Sequence, residues 1–278
     1  MIVRAPATSA NLGPGFDCAG VALDLWNELE LDHGPAGRVS VEIEGEGADE
    51  LPADDSNLVV RAYSLLASPR GVRFRLRNRI PLERGLGSSA AAIALGLAAA
   101  RRDETPEELL AHGLRLEPHA DNLAPALVGG VCLTWEGRIA RVADRLPLRA
   151  VLVVPGERTR TDEARSRLPD RVPHDDAAFT VARALLLGTA IGAGDAALMG
   201  AALVDRLHEP YRPSELLAAI RAELPAGAAG ATLSGSGPTV VVWATDAETC
   251  AAELRRRFPE HAVSAVAVAT RGALGEPS

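Results

Sequence analysis

The sequence contains no lysine: every one of its 29 basic residues is arginine. This absence excludes a P-loop lysine, a Schiff-base lysine and a lysine general base from the chain. Any phosphate chemistry must instead use arginine, backbone N–H groups, helix dipoles and a metal ion. Cysteine is also scarce, and Cys18, Cys132 and Cys250 are spaced too widely to indicate a disulfide framework or a clustered metal site. We therefore expect a protein of the reducing cytoplasm.

Long apolar runs and a basic surface are missing as well. No uninterrupted hydrophobic stretch approaches the roughly 20 residues of a membrane-spanning helix, and the first residues lack the apolar region of a secretory signal. The net charge of −8 argues against a general nucleic-acid surface. With 278 residues, of which 47% are hydrophobic, the chain is long enough for one large domain or two ordinary ones. The sequence predicts a soluble protein without a nucleic-acid or membrane partner.

Alternating polarity and turn signals predict a β-rich first half. Strands are expected over residues 2–5, 21–31, 39–44, 72–77, 128–135 and 138–142. Helices are expected over residues 58–67 with an N-cap from residues 54–56, over 90–100, and over 106–116 after the Thr105 cap. The segment 6–17 reads as a turn-rich loop.

A buried apolar strand over residues 150–155 opens a second pattern. Further strands are expected over residues 230–233, 239–244 and 263–269, and helices over 162–168, 175–191, 196–205, 214–224 and 247–258. With the extra helices set aside, the order is strand, helix, strand, strand, helix, strand, which is the ferredoxin-like plan. We therefore predict two domains, residues 1–148 and 149–278, with a loose tail from Arg271.

The residues 81–92, PLERGLGSSAAA, form a glycine-serine loop that runs into an alanine-rich helix. Gly85 and Gly87 allow the backbone to approach a ligand closely, and the serines are expected at the N-cap and in the first turn. Free N–H groups and the positive end of the helix dipole at such a place favour a phosphate. Taken alone, the loop fits phosphate binding and plain helix capping equally well.

Three separated motifs together resemble the GHMP small-molecule kinases: PATSANLGPGFD at 6–17, PLERGLGSSAAA at 81–92 and GATLSGSGPT at 230–239. HADNLAPA at 119–126 and LHEPYR at 207–212 make the resemblance closest to the homoserine kinase branch. The resemblance implies an α+β fold, with an N-terminal domain like domain 2 of ribosomal protein S5 and a ferredoxin-like C-terminal domain. It also implies an active site in the cleft between the two domains.

The resemblance further implies an ATP site with magnesium. The residues it assigns to ATP are Asn57, Pro81, Arg84, Gly85, Leu86, Gly87, Ser88, Ser89 and Ala90, joined by the third glycine-rich loop of Ser234, Gly235, Ser236 and Gly237. Ser89, or its neighbour Ser88, and Glu117 are the implied magnesium ligands, since the metal prefers hard oxygen donors. Two plainer readings stay open, namely Asn57 as a helix cap and Glu117 as a solvated surface acid.

The implied acceptor is L-homoserine, a zwitterion that needs a guanidinium fork for its carboxylate and an acid for its ammonium. The resemblance assigns the fork to Arg165 and Arg212. The other implied acceptor residues are Asn11, Asp17, His119, Asp121, Asn122 and Thr161. Asp17, Asn122 and Arg165 are the expected catalytic residues. Because the chain has no lysine to pair with an aspartate base, we expect phosphoryl transfer by positioning and charge neutralisation.

Two departures from the family pattern lie beside these residues: Pro118 stands where many relatives have glycine, and Thr180 where they usually have asparagine. These departures leave open a nucleotide-binding relative without catalysis. A related kinase of the same superfamily for mevalonate-like or sugar-like alcohols is a second alternative. A dinucleotide-binding loop is excluded, because Gly85 and Gly87 lack a third glycine at the required offset. The sequence leaves the oligomeric state open, a homodimer included.

Overall fold

The computed structural model describes residues 1–34, 37–101, 103–159 and 161–275, without the side chains of residues 161–163. Within these residues the chain forms two β-sheets, of six and four strands, with α-helices packed against them. The mixed helix and sheet content confirms the predicted α+β class.

The first sheet is formed by the strands of the N-terminal half. They are β1 (Ile2–Asn11), β2 (Gly15–His33), β3 (Ser40–Gly45), β4 (Val72–Asn78), β5 (Val131–Trp135) and β6 (Arg138–Ala143). Their order is β3-β4-β2-β5-β6, and β1 pairs with the long strand β2. The β3–β4 pair is parallel, and the other pairs are antiparallel.

Strand β1 corrects the prediction of a turn-rich loop over residues 6–17. The strand continues to Asn11, and β2 begins at Gly15, so only a tight turn separates them. The sequence hides this strand because nearly all of its residues are buried, which removes the alternation of polar and apolar positions. Thr8 and Ser9 are buried in it and satisfy their hydroxyl groups through side chains of distant segments.

Four helices accompany the first sheet: α1 (Leu58–Ser64), α2 (Ser88–Ala100), α3 (Pro106–Gly113) and α4 (Ala120–Val128). The N-cap of α1 is Asn57, whose side chain accepts a hydrogen bond from the Val59 N–H at 3.0 Å, and not a residue of 54–56. Helix α4 was not predicted, because Pro125 lies inside it and proline argues against a helix interior. Helix α2 is buried along most of its length, as its lack of a polar face predicted.

The second sheet contains β7 (Arg149–Val154), β8 (Ala228–Leu233), β9 (Val240–Ala244) and β10 (Ala262–Val266). Its order is β10-β7-β9-β8 with antiparallel pairs, which confirms the predicted ferredoxin-like plan. The helices of this half are α5 (Thr161–Ser166), α6 (His174–Ala193), α7 (Ala196–Ala202), α8 (Glu215–Ala222) and α9 (Ala247–Arg257). A short 3₁₀ turn, Glu209–Tyr211, precedes α8.

The second sheet has apolar residues on both faces, and this joins the two halves. In β7, Ala150 and Leu152 belong to the large core shared with the first half, whereas Val151 and Val153 face the core under α8 and α9. A strand covered on both faces needs apolar residues at every position. This explains why residues 150–154 form an unbroken apolar run.

The chain after β10 returns to the first sheet, so the expectation of a loose tail from Arg271 is wrong for residues 271–275. The Asp24 N–H donates to the Ala267 carbonyl at 2.9 Å, and the Ala273 N–H donates to the Ala126 carbonyl at 2.8 Å. Gly272 makes this approach possible, because a Cβ there would lie 2.4 Å from the Leu127 carbonyl oxygen. Residues 267–275 therefore pack against β2 and α4.

Helix α6 is the one helix in the described ranges that is long and apolar enough, by length and composition, to cross a membrane. It has 20 residues with a mean hydropathy of 1.3. The sequence predicts no such segment, because no uninterrupted apolar run approaches membrane-spanning length. In α6 the apolar residues are interrupted by Asp175, Asp176 and Arg183. Leu187 and Ala190 of this helix are buried in the large core.

Candidate active site

The N-terminus of α2 opens into a cleft of about 560 Å³. The N-cap is Gly87 with φ +66°, and no side chain caps the helix. Ser88 and Ser89 both lie in the first turn, so the prediction of a serine at the N-cap is wrong. The first backbone N–H groups of the helix therefore lack a side-chain acceptor. Together with the helix dipole they form an anion site. The cleft is lined by Glu83, Arg84, Gly85, Gly87, Ser88, Ser89, Leu116, Glu117, His119, Asn122, Thr159, Gly235 and Ser236.

The two glycines of this loop make room for the protein itself. A Cβ at Gly85 would lie 2.2 Å from the Ser234 carbonyl oxygen, and a Cβ at Gly87 would lie 1.9 Å from the Thr8 hydroxyl. Both residues also have positive φ, which disfavours any other residue. From the sequence, the two glycines are predicted to allow close approach of a ligand. The structure shows that they allow close packing against β1 and the third glycine-rich loop.

The third glycine-rich loop, Ser234 to Gly237, joins the phosphate loop to strand β1. The Ser234 hydroxyl donates to the Gly85 carbonyl at 2.6 Å, and the Gly235 N–H donates to the Ala10 carbonyl at 3.2 Å. The Gly235 carbonyl accepts from Asn11 Nδ2 at 3.0 Å and from Arg212 Nη1 at 3.2 Å. Four motifs that are far apart in sequence thus meet at one point.

Some residues predicted for ATP have structural roles. Arg84 lines the cleft, but its guanidinium donates to the carbonyls of Leu82, Pro155 and Gly156, which ties the loop to the end of β7. The side chain of Asn57 caps α1 and donates to the Pro52 carbonyl. The other predicted residues absent from the cleft lining are Pro81, Leu86, Ala90, Ser234 and Gly237, of which Leu86 and Ala90 are buried in the core.

Asp17 and Arg165, two of the predicted acceptor residues, form an exposed bidentate ion pair. The Arg165 Nη1 lies 2.9 Å from Asp17 Oδ1, and its Nη2 contacts Oδ2. Asn11 fixes the backbone here, because its Oδ1 accepts from the Asp17 N–H at 3.0 Å. The Asp17 hydrogen bonds raise the pKa of the Arg165 guanidinium. Asp17 thus engages Arg165, one of the two arginines that the resemblance assigns to the substrate carboxylate.

Asp121 is a buried carboxylate near this pair, with 5% of its surface exposed. Burial and the negative charge of Asp17 raise its pKa from 3.8 to about 6, and the nearby His119 opposes this shift. Among the described side chains no cation lies within ion-pair distance of it. The site therefore holds a buried carboxylate that no described side chain neutralises by a direct ion pair.

Arg212 is a buried cation that has no carboxylate as a direct partner among the described residues. It is 6% exposed, and burial lowers the pKa of its guanidinium. Its Nη1 contacts His208 Nδ1 at 3.1 Å and the Gly235 carbonyl, while its Nε is buried and has no partner in the described part of the chain. The guanidinium groups of Arg212 and Arg165 both lie over the Phe16 ring, at 5.6 and 5.7 Å from its centroid, so Arg212 is close to the Asp17–Arg165 pair.

Glu117, His119 and Asn122 line the phosphate side of the cleft. The Glu117 carboxylate lies 3.0 Å from His119 Nδ1, and this contact raises the pKa of the histidine. Asn122 Oδ1 accepts from the Thr8 hydroxyl at 2.8 Å. No group of three or more His, Cys, Asp or Glu side chains in the described ranges forms a metal cage. Serine hydroxyls and one carboxylate beside a phosphate site nevertheless fit magnesium, which keeps waters and takes few protein oxygens.

The structure also explains residues that the sequence analysis missed or left open. Asp205 Oδ2 accepts from the N–H groups of Leu207, His208 and Glu209, which shapes the turn before Arg212. Thr180, one of the two departures, accepts from the Arg206 N–H at 3.1 Å and thereby supports the same turn. The motif LHEPYR contains the signal for this turn, but nothing in it points to Asp205. The side chain of Thr161 lies outside the described part.

Comparisons with known proteins agree with this geometry. Residues 57–130 match the family model of the GHMP kinases N-terminal domain, and residues 183–260 match that of the GHMP kinases C-terminal domain. The chain therefore belongs to the GHMP kinase family.

Relatives within this family are homoserine kinases. That of Gloeobacter violaceus is 44% identical over 259 residues, which cover 87% of this chain and 86% of that protein. That of Carboxydothermus hydrogenoformans is 38% identical and covers 97% and 93%. The crystal structure of homoserine kinase from Cytophaga hutchinsonii superposes with a TM-score of 0.85 at 26% identity, covering 98% of this chain and 96% of that one.

The first prediction compares two glycines with positive φ. Gly87→Ala should lower the free energy of unfolding and raise the KM for ATP, because its Cβ collides with Thr8. Gly137→Ala, at φ +77° with open space around it, is the control and should cost only the conformational strain of about 1–2 kcal/mol. Urea denaturation and steady-state kinetics measure both effects. Equal losses in the two variants would contradict the packing role.

The second prediction concerns pH. Because the pKa of Asp121 is raised on folding, the folded state holds its proton more tightly, and stability falls as the pH rises from 3.8 to about 6. Asp121→Asn removes this loss, so its unfolding free energy relative to wild type should rise across that interval, by at most about 3 kcal/mol. Denaturation at a series of pH values measures this change. A difference that does not vary with pH would disprove it.

Proposed function

We propose that this chain is an ATP-dependent homoserine kinase, which transfers the γ-phosphoryl group of ATP to the hydroxyl of L-homoserine. The product is O-phospho-L-homoserine, an intermediate of threonine biosynthesis. The observation that supports this proposal is that two buried charges have no direct ion-pair partner among the described residues. They are the negative carboxylate of Asp121 and the positive guanidinium of Arg212. A zwitterionic amino acid supplies both missing charges. Mevalonate-like and sugar-like alcohols lack the ammonium and leave Asp121 uncompensated.

The nucleotide phosphates bind at the N-terminus of α2. Backbone N–H groups and the helix dipole there replace the lysine that the chain lacks. The Ser234 hydroxyl bond to the Gly85 carbonyl keeps the loop in this shape. Gly235 and Ser236 line the same cleft, so the third glycine-rich loop closes the phosphate site on the side of the second sheet.

Magnesium fits beside the phosphates. Ser89, or its neighbour Ser88, and Glu117 would hold it, because all three line the cleft and offer hard oxygen donors. When bound, the metal neutralises charge on the transferred phosphoryl group. His119 keeps the Glu117 carboxylate in place through its contact at 3.0 Å.

The acceptor hydroxyl is positioned without a dedicated base. Asn122 lines the phosphate cleft, and Arg165 holds the Asp17 carboxylate bidentately. A loose transition state requires little deprotonation of the attacking hydroxyl in advance, so alignment and charge compensation supply the rate enhancement. Asp17, Asn122 and Arg165 are thus the catalytic residues of the proposal. We place the reaction in the cytoplasm, where the free cysteines stay reduced.

The third prediction tests the acceptor. Arg212→Leu should raise the KM for homoserine by the equivalent of about 1.5–3 kcal/mol, since a charge-assisted bond to the carboxylate is lost. Arg212→Lys should raise it less, because one point charge replaces a fork. The KM for ATP should barely change in either variant.

Homoserine amide provides the control for this prediction. It should be a poor substrate for the wild type. In Arg212→Leu the difference between the KM for homoserine and the KM for its amide should be smaller than in the wild type. If Arg212→Leu weakens both acceptors equally, or ATP instead of homoserine, the carboxylate assignment is wrong. If the wild type releases no ADP in response to homoserine, the proposed function itself fails.

The fourth prediction concerns the metal ligand. Glu117→Gln should lower kcat more than it raises the KM for homoserine, and should raise the magnesium concentration needed for half-maximal rate. Glu83→Gln is the matched control, because Glu83 lines the same cleft but is not assigned to the metal. Titration of the rate with magnesium separates the two variants. Identical magnesium curves for both would remove Glu117 from the metal site.

A further inference from the structure

His208 lies one helical turn before Arg212 and is fully buried. Its Nε2 is 2.9 Å from the Gly13 carbonyl, and its Nδ1 is 3.1 Å from Arg212 Nη1. A carbonyl only accepts and a guanidinium only donates, so Nε2 must carry the proton and Nδ1 must be bare. The imidazole is therefore neutral and in one tautomer. Burial lowers its pKa, which agrees with a neutral ring.

The ring itself cannot turn easily. Phe16 stacks on it with ring centroids 5.1 Å apart and an angle of 19° between the planes. The Arg212 guanidinium also lies over Phe16, 5.6 Å from the ring centroid. Asp205 is 3.6 Å from Nε2, but its Oδ2 already accepts three backbone N–H groups. Packing and hydrogen bonds thus fix the direction in which Nδ1 points.

The contact decides which part of Arg212 remains for a ligand. Nη1 has two N–H groups, one for His208 and one for the Gly235 carbonyl, so both are occupied. The donors left over are those of Nη2 and Nε, which lie parallel along one edge of the guanidinium and match the two oxygens of a carboxylate. Without His208, the Gly235 carbonyl alone would hold Nη1, and the guanidinium could pivot about that single contact.

We propose that His208 is a positioning residue for the acceptor: its bare Nδ1 holds Arg212 Nη1 and so turns the opposite edge of the guanidinium towards the substrate carboxylate. His208 does not touch the substrate in this assignment. The inference rests on the proposed function, because the carboxylate is that of homoserine. In this assignment, tight binding of homoserine requires a hydrogen-bond acceptor at the position of His208 Nδ1.

Two substitutions distinguish the role of Nδ1 from that of Nε2. In His208→Asn the amide oxygen can occupy the place of Nδ1 and accept from Arg212, while the donor to Gly13 is lost. In His208→Gln the longer amide can reach the place of Nε2 and donate to Gly13, while the acceptor for Arg212 is lost. Each variant keeps one of the two hydrogen bonds, so each serves as the structural control for the other.

We expect His208→Asn to keep a KM for homoserine near that of the wild type, and His208→Gln to raise it about tenfold or more, as for loss of a bond to a charged group. His208→Gln should also narrow the preference for homoserine over its amide, with the KM for ATP unchanged in both variants. Equal rises in the two variants, or a rise that follows the loss of Tm, would show that His208 only fills space.

A measurement on the wild type covers the case in which the variants do not fold. Nitrogen-15 NMR of the histidine rings should show His208 protonated at Nε2 and bare at Nδ1, with the Nδ1 resonance shifting when homoserine is added. A proton at Nδ1 would overturn the proposal. Absence of homoserine-dependent ADP release by the wild type would instead refute the proposed function and leave the tautomer of His208 unaffected.

Discussion

The carbonyl of Gly235 is the acceptor on which the site depends. It takes hydrogen bonds from Asn11 at the end of β1 and from Arg212 after the 3₁₀ turn, and the adjacent Ser234 hydroxyl bonds to the phosphate loop. These contacts connect the first sheet, the second sheet and the N-terminus of α2. A movement of the loop at Gly235 would therefore displace both the loop at Gly85 and the Arg212 guanidinium, because both are hydrogen-bonded to it.

In the absence of lysine, the positive potential of the site comes from backbone N–H groups and from arginines held in place by hydrogen bonds. Backbone N–H groups at α2 face the phosphate cleft, while the arginines are anchored by neighbours: Arg84 by carbonyls, Arg165 by Asp17, and Arg212 by His208 and Gly235. Anchored donors need no reorganisation when charge develops in the reaction. The buried charges without a direct ion-pair partner in the described ranges, at Asp121 and at Arg212, are the ones that the proposed function assigns to the substrate.

Sequence reasoning succeeded where a single physical signal dominates. The apolar run of β7 and the alternation of β4 predicted strands, and the order of elements predicted the ferredoxin-like sheet. It failed where tertiary packing overrides a local signal, as in the buried part of β1 after residue 5 and in α4 around Pro125. The family resemblance located the three loops, but the role of Gly85 and Gly87 in packing against Ser234 and Thr8 depends on contacts between distant segments that no local pattern reports.

The return of residues 267–275 to β2 and α4 affects how the protein is made. The helix α4 begins with the site residues Asp121 and Asn122, and its far end receives hydrogen bonds from Ala273 and Leu274. During synthesis on the ribosome, the N-terminal half emerges first and begins to fold. Residues 267–275 are synthesised after the second sheet, so β2 and α4 lack these backbone contacts while the second half of the chain is being made. The backbone support of α4, the helix that begins with Asp121 and Asn122, is therefore completed only after β10 has been synthesised.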